Sequence, residues 1–427
     1  MRFRKAIAII GLGYVGLPLA LLADKKGYKV IGIDINFEKV ELIKKRISSF
    51  IDENISVELQ NSSLEATTDF SKVKDVDIVV ICVPTPVYHN HKPNLKSVES
   101  ASRGIAPYLR KGQLIILEST VSPGISEEIV LPILEELSGF RGGEDFYLAH
   151  CPERINPGDK KWNVENIPRV VGSLEEKGLK KALNFYRSIL ISDVKPMNSL
   201  KEAEAVKIVE NSFRDINIAF VNELAMSFSK LGIDVVNVIE GAATKPFAFM
   251  PHYPGCGIGG HCIPVDPYYL ISYAKKNGFH HDLLSLARRI NNGMPKFAVD
   301  KVVEGLNEKK VAVKGTEVAV LGLAYKANVG DCRESPSFDI IRHLNDLGAI
   351  VSTYDPYVLD KSTCKTIEEA TKGAKAVVIA TAHNDFKKLE PDYLLKNGVK
   401  VVVDGRNCLP KEKFINLKKL TYIGIGR

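Results

Sequence analysis

The chain has 427 residues, 45% hydrophobic and 26% charged, with a formal net charge of +7; that length holds two or three cores. The mild basic excess suits anionic small molecules, but the basic residues are scattered and not interleaved with aromatics, which argues against nucleic-acid binding. No apolar run reaches membrane-spanning length, and glycines interrupt the opening apolar stretch where a signal peptide would continue, so a cytoplasmic protein without membrane attachment is expected.

Taken in chain order, the first half alternates β-branched runs with helical segments. The strand-like runs are 5–10, 28–33, 77–82, 113–118 and 145–150. Each is apolar throughout, as strands covered on both faces must be, so a doubly wound parallel sheet with helices on either side is expected. The first run leads into "GLGYVG". Gly11 permits a tight turn, Gly13 lets backbone approach a pyrophosphate, Gly16 allows close helix packing, and Tyr14 and Val15 complete the turn. Asp34 closes the next strand, where a carboxylate holds a ribose 2′-hydroxyl and repels a 2′-phosphate, favouring NAD over NADP. Lys39 is placed to touch the adenosine side or to be a solvated helix lysine. "CVPTPV" offers Pro84 and Thr85, "ESTVSPG" offers Thr120, and "HCPERINPG" offers Glu153 and Arg154. Each alone reads as a proline-closed turn; three at the carboxyl edge of one sheet read as a site.

From Ala203 to Leu231 the period changes. Val206, Val209, Phe213, Ile216, Phe220, Leu224, Phe228 and Leu231 recur at helical spacing, a helix long enough to be a spine or a dimer seam. Lys207, Asn211 and Arg214 form a polar stripe on it.

The loop "PGCGIGGHCIPVDP" follows, with Gly255, Gly257, Gly259 and Gly260 letting backbone come close to a ligand. Seven cysteines, with no CxxC pair, argue against a disulfide framework or a structural zinc, and no metal site is expected. Cys262 stands after Gly-Gly-His and four residues before Asp266, a setting for a reactive thiolate with Lys207 as the cation. Such a thiolate attacks an aldehyde and yields a thioester once a hydride has left for NAD.

After residue 300 the alternation returns in runs at 316–322, 349–355, 374–380, 399–405 and 420–425, a second Rossmann-like parallel sheet without the glycine pattern of the first. Lys326 and Arg333, from "YKANVGDCRESPS", and Arg406, from "DGRN", stand at its strand ends, where a phosphate is clamped. The expected domains are a Rossmann-like NAD-binding domain over 1–195, a helical centre over 196–300 and a second Rossmann-like, substrate-binding domain over 301–427.

In that order, "GLGYVG", "VPTP", "EST", "PER", "KIVEN", "GGHCIPVDP", "YKANVGDCRESP" and "DGRN" resemble the UDP-glucose/GDP-mannose 6-dehydrogenase family over essentially the whole chain. The resemblance implies two NAD per turnover, oxidising a sugar's C6 alcohol to a carboxylate without releasing the aldehyde. It implies Cys262 as nucleophile, Lys207 and Asn211 as stabilisers of charge on oxygen, and Asp266, Thr120 and Glu153 around the hydrolytic water. Gly11, Gly13, Gly16, Asp34, Thr85 and Arg333 match NAD contacts. Lys326, Arg406 and the loop 255–260 match UDP-sugar contacts, with Glu153, Arg154, Lys207, Asn211 and Arg214 beside the sugar. The UDP-glucose enzymes carry a second glutamate where this chain has Pro157. "PER…PG" with "GGHC" is similar instead to the UDP-N-acetylhexosamine branch, and "TKPFAFMPHYPG" resembles the UDP-GlcNAc enzymes more than the UDP-ManNAc ones. The long helix makes a homodimer or larger homo-oligomer the expected assembly, and the resemblance implies a place in polysaccharide biosynthesis. Cys256 occupies a position where proline is expected, and a reversible disulfide with Cys262 is one reading. The rivals are UDP-glucose oxidation, a one-hydride hydroxyacid-type dehydrogenase, and a non-catalytic NAD-responsive binding protein.

Overall fold

The computed structural model describes residues 5–50, 53–88, 90–155 and 161–427. The Pro157 position lies outside them. The chain divides into two compact units. Unit one comprises 1–210 with 268–279, and unit two comprises 211–267 with 280–427.

Unit one is built on an eight-stranded sheet, β1 (Ala6–Ile10), β2 (Lys29–Ile33), β3 (Glu65–Thr67), β4 (Ile78–Ile81), β5 (Leu114–Leu117), β6 (Tyr147–His150), β7 (Arg169–Ser173) and β8 (Val194–Pro196). Its order is β3-β2-β1-β4-β5-β6-β7-β8, and its first six strands are parallel in the 3-2-1-4-5-6 order of a dinucleotide-binding sheet. The continuous apolar runs have the predicted cause. Ile7 and Ile9 feed one apolar layer while Ala8 and Ile10 feed the opposite one. The sheet departs from the parallel expectation at its far side, where β7 runs antiparallel to β6 and β8 then pairs parallel with β7.

Unit two carries a five-stranded, wholly parallel sheet, β9 (Glu317–Leu321), β10 (Ile350–Tyr354), β11 (Ala376–Ile379), β12 (Val401–Asp404) and β13 (Thr421–Gly424), in the order β10-β9-β11-β12-β13. Both faces are again covered, Val318, Val378 and Val403 by one cluster and Ala319, Val377 and Val402 by another.

The long helix runs over Leu200–Leu231, and the division between the units falls within it, after Glu210. Half of its apolar stripe faces away from any core, with Val209, Phe213, Phe220 and Leu231 47–65% exposed. Leu224 and Phe228 pack against the core of unit two. The buried face carries Glu204, Lys207, Asn211, Asp215 and Asn222. Period alone says that a segment is helical; it does not say which side is covered. Among the described residues no helix is long and apolar enough to cross a membrane.

Candidate active site

In unit one the turn after β1 is drawn tight by a hydrogen bond from the Gly11 amide to the Ile33 carbonyl, 2.7 Å. Gly11 has φ +93°, and a Cβ there would stand 2.6 Å from the Cys82 carbonyl oxygen. A Cβ on Gly16 would collide with the Gly11 carbonyl, so the helix Gly16–Lys25 packs against its own turn only as glycine. Gly13 has open space above it, which is what close approach of a pyrophosphate demands. Asp34 receives the Leu12 amide (2.8 Å), the Asn36 amide (2.9 Å) and the Lys39 ammonium (2.8 Å). Burial works to raise this carboxyl, but Lys39 and the two amides outweigh it and hold it below the usual carboxylate range. Lys39 therefore belongs to the acid that marks the ribose position. Tyr14 is exposed and stacks on Phe50 at 4.3 Å, and Val15 packs against the core. The turn and the acid fit a dinucleotide of the NAD type.

Pro84 is exposed and Thr85 half-buried. The backbone of Thr85 is fixed, because its carbonyl accepts the Tyr269 hydroxyl at 2.8 Å. Thr120 is half-buried just past β5. Beyond β6, Glu153 is held from both sides. One oxygen accepts the Arg154 and Ile155 amides at 2.6 Å, and the other pairs with Arg169 at 2.5 Å. Arg169, fully buried at the start of β7, also lies 3.7 Å from Glu118. Burial raises Glu118 to about 7 against the pull of Arg169, and the Tyr186 hydroxyl donates to it. Sequence reasoning took Thr120 from "EST" and passed over Glu118, and it gave no role to Arg169. Arg154 is engaged by Glu210 and by the Pro168 carbonyl. Lys207 is about nine-tenths buried, and Arg214 is exposed.

In unit two, Cys262 is exposed and none of the seven cysteines is in a disulfide. Its carbonyl accepts the amides of Val265 (3.0 Å) and Asp266 (2.8 Å), closing the turn that starts the helix Asp266–Lys276. Asp266, 3% exposed, accepts from the Asn211 side-chain amide at 2.5 Å. Two residues singled out 55 positions apart thus meet as a buried pair. The glycine loop threads between crowded neighbours: a Cβ on Gly255 would press on the Arg406 guanidinium, and one on Gly259 or Gly260 on Tyr325. The Gly260 amide donates to the Arg333 carbonyl at 3.0 Å, while the Arg333 guanidinium is clamped by Asp331. Arg406 is steadied by the Ala380 carbonyl at 2.9 Å, and Lys326 is half-buried beside Tyr325. Cys256 is fully buried, its thiol on the Gly405 carbonyl at 3.4 Å, and burial raises it to about 11. That places it in the core of unit two as a packing residue, a setting adverse to the disulfide considered above.

The second sheet repeats the first turn in altered form. Gly322 has φ +98° and its amide bonds the Tyr354 carbonyl, as Gly11 bonds Ile33. Asp355 then accepts the Leu323 and Ala324 amides at 2.7 and 2.8 Å, as Asp34 accepts Leu12. Here Ala324 replaces the second glycine, and His383 bonds the carboxylate at 3.0 Å. Both members of that pair are fully buried.

Three consecutive segments match the UDP-glucose/GDP-mannose dehydrogenase family: its NAD binding domain over residues 5–190, its central domain over 201–293 and its UDP binding domain over 319–411. The chain is 36% identical to a UDP-N-acetyl-D-glucosamine 6-dehydrogenase of Pseudomonas aeruginosa, over 95% of this chain and 98% of that one. It is 38% identical to a UDP-N-acetyl-D-mannosamine dehydrogenase of Pyrococcus horikoshii, over 99% of each. Among solved structures, a UDP-D-ManNAc dehydrogenase from Pyrococcus horikoshii superposes with a TM-score of 0.93 at 37% identity, covering 99% of both chains. A UDP-glucose dehydrogenase from Pyrobaculum islandicum superposes with a TM-score of 0.87 at 28% identity, covering 99% of this chain and 98% of that one.

Proposed function

Because the chain belongs to the UDP-glucose/GDP-mannose dehydrogenase family and is an NAD-dependent nucleotide-sugar dehydrogenase, we propose that it oxidises the C6 hydroxyl of a UDP-N-acetylhexosamine to the carboxylate. UDP-GlcNAc is the favoured substrate and UDP-ManNAc the second. The relatives named for both sugars, at 36% and 38% identity, support the N-acetylhexosamine class. The observation that carries the chemistry is the exposed Cys262 on a turn closed onto Asp266, with Asp266 bonded to Asn211.

NAD, when bound, supplies the hydride acceptor for each of two oxidations. Gly11, Gly13, Gly16 and Asp34 would hold it, with Pro84, Thr85 and Thr120 beside it. Lys207 and Asn211 stabilise negative charge on the sugar oxygen as its proton leaves. Once the first hydride has left C6, that carbon is an aldehyde, and the Cys262 thiolate adds to it. The carbonyl π pair moves onto oxygen, where the same two donors meet the charge. Loss of the second hydride leaves a thioester. Water activated among Thr120, Glu153 and Asp266 adds to that carbon, the carbon–sulfur bond breaks, and thiolate and carboxylate part. Lys326, Arg406 and the loop 255–260 hold the UDP portion. We place the enzyme in the cytoplasm, as a homodimer, making uronate precursors for polysaccharide.

The test is the ratio of NADH formed to substrate consumed, with UDP-glucose, UDP-GlcNAc, UDP-GalNAc and UDP-ManNAc assayed side by side. Two NADH per sugar on an N-acetylhexosamine, with uronate production lost in Cys262→Ser, is the expected result. One NADH per sugar points instead to a simple alcohol dehydrogenase. Preference for UDP-glucose overturns the sugar assignment alone.

A further inference from the structure

The glycine stretch of unit two is tied to a buried chain of side-chain amides. The Gly255 amide donates to Asn222 Oδ1 at 3.0 Å. Asn222 Nδ2 donates to Asn291 Oδ1 at 2.9 Å, and Asn291 Nδ2 donates to Asp215 Oδ1 at 2.8 Å. Asp215 is paired with Arg288 at 2.6 Å. All four side chains are at most 3% exposed.

Hydrogen-bond direction is fixed along this chain. A backbone N–H only donates, so Asn222 must present its oxygen to Gly255 and its NH₂ to Asn291. Asn291 must then present its NH₂ to a carboxylate, which only accepts when ionised. Each link has one orientation, and such same-sense chains strengthen link by link. Leaving any one group unpaired in a dry interior is costly, so each link holds the next in place.

A second observation concerns the same stretch. Asn291 lies in the helix Asp282–Glu308, which has Pro295 in its interior. Proline has no N–H to return to the carbonyl four residues earlier, here that of Asn291. Gly257 sits against that interruption: a Cβ there would stand 3.1 Å from the Asn291 carbonyl oxygen and 3.3 Å from Pro295 Cδ. The helix thus bears on the loop in two ways, at Gly255 by way of Asn222 and at Gly257 beside the Asn291 carbonyl.

We infer that Asn222 and Asn291 are positioning residues for the nucleotide-sugar site, fixing Gly255 beside the Arg406 guanidinium through a one-directional hydrogen-bond chain anchored on Asp215 and Arg288. Neither asparagine touches substrate; they set the backbone that does. The inference rests on the reading that Arg406 and the glycine loop hold the UDP portion.

The experiment measures UDP and NAD binding by calorimetry on the full chain, with Asn222→Ala, Asn222→Ser and Asn291→Leu alongside thermal unfolding. In folded variants the UDP dissociation constant rises about tenfold or more, as loss of one buried hydrogen bond implies, while that for NAD stays within about twofold. Unchanged UDP affinity in a folded variant overturns the inference, and so does an equal loss of both ligands. If the variants do not fold, hydrogen exchange on the wild-type chain decides: a Gly255 amide protected as well as the strand cores supports the chain, and rapid exchange overturns it. A wild-type chain that binds no UDP breaks the underlying reading, while the exchange measurement still judges the chain itself.

Discussion

Glu204 lies on the covered side of the long helix, accepting the Gly124 amide at 2.5 Å and the Ser126 amide at 2.8 Å. Burial outweighs those two bonds and raises it to about 7. An ordinary glutamate titrates near 4.3, so between about pH 4.3 and 7 the folded chain keeps a proton that the unfolded chain has released. Stability then falls as pH rises through that window and levels off above it. Glu118 acts in the same direction. Glu204→Gln should flatten the decline of the unfolding midpoint between pH 5 and 7, measured by calorimetry; an unaltered slope contradicts the assignment. At this scale the sequence was legible wherever chemistry sits in one short motif, as in "GLGYVG" with Asp34. It was illegible where partners are distant. Nothing in "EST" or "RVVGS" announces that Arg169 bridges Glu118 and Glu153, because that meeting depends on β7 lying next to β6.

At the scale of elements, all five runs in the second sheet became strands, since each is apolar and bounded by turns. In the first sheet β3, β7 and β8 were missed. β3 and β8 have three residues each, too few to show a period. The helix Gly16–Lys25 tests how much a single contact governs. Its first residue meets the Gly11 carbonyl with no room for a methyl group. Gly16→Ala must push helix and turn apart, so the unfolding midpoint should drop by about 5 °C and NAD binding should weaken by about tenfold or more. Thermal unfolding and cofactor titration measure the two effects, and a variant with unchanged NAD affinity would remove the turn from the cofactor site. The long helix carries a different lesson. Its apolar spacing was read correctly as helical, yet the side that the structure buries carries the polar residues, Lys207 and Asn211 among them.

For the molecule as a whole, the outward stripe needs an occupant. Val209, Phe213, Phe220 and Leu231 lie on one face of a 32-residue helix and are all exposed. Exposed apolar area of this kind marks an interaction site, and the proposed homodimer covers it with the same face of a second copy. Phe213→Glu combined with Phe220→Glu should yield a species of 47.1 kDa by sedimentation, the mass of one chain. A double variant that sediments like the wild type places the interface elsewhere.

The two βα turns also bear on kinetics. One acid at a strand end, Asp34, meets backbone amides and a lysine, while its counterpart Asp355 is stoppered by His383. With the second acid so occupied, we expect a single seat for the dinucleotide on each chain, and calorimetric titration should register one equivalent. The double oxidation proposed above would then require that the seat be vacated and refilled between its two steps. On that proposal the half-oxidised sugar would stay aboard while only the carrier changes places.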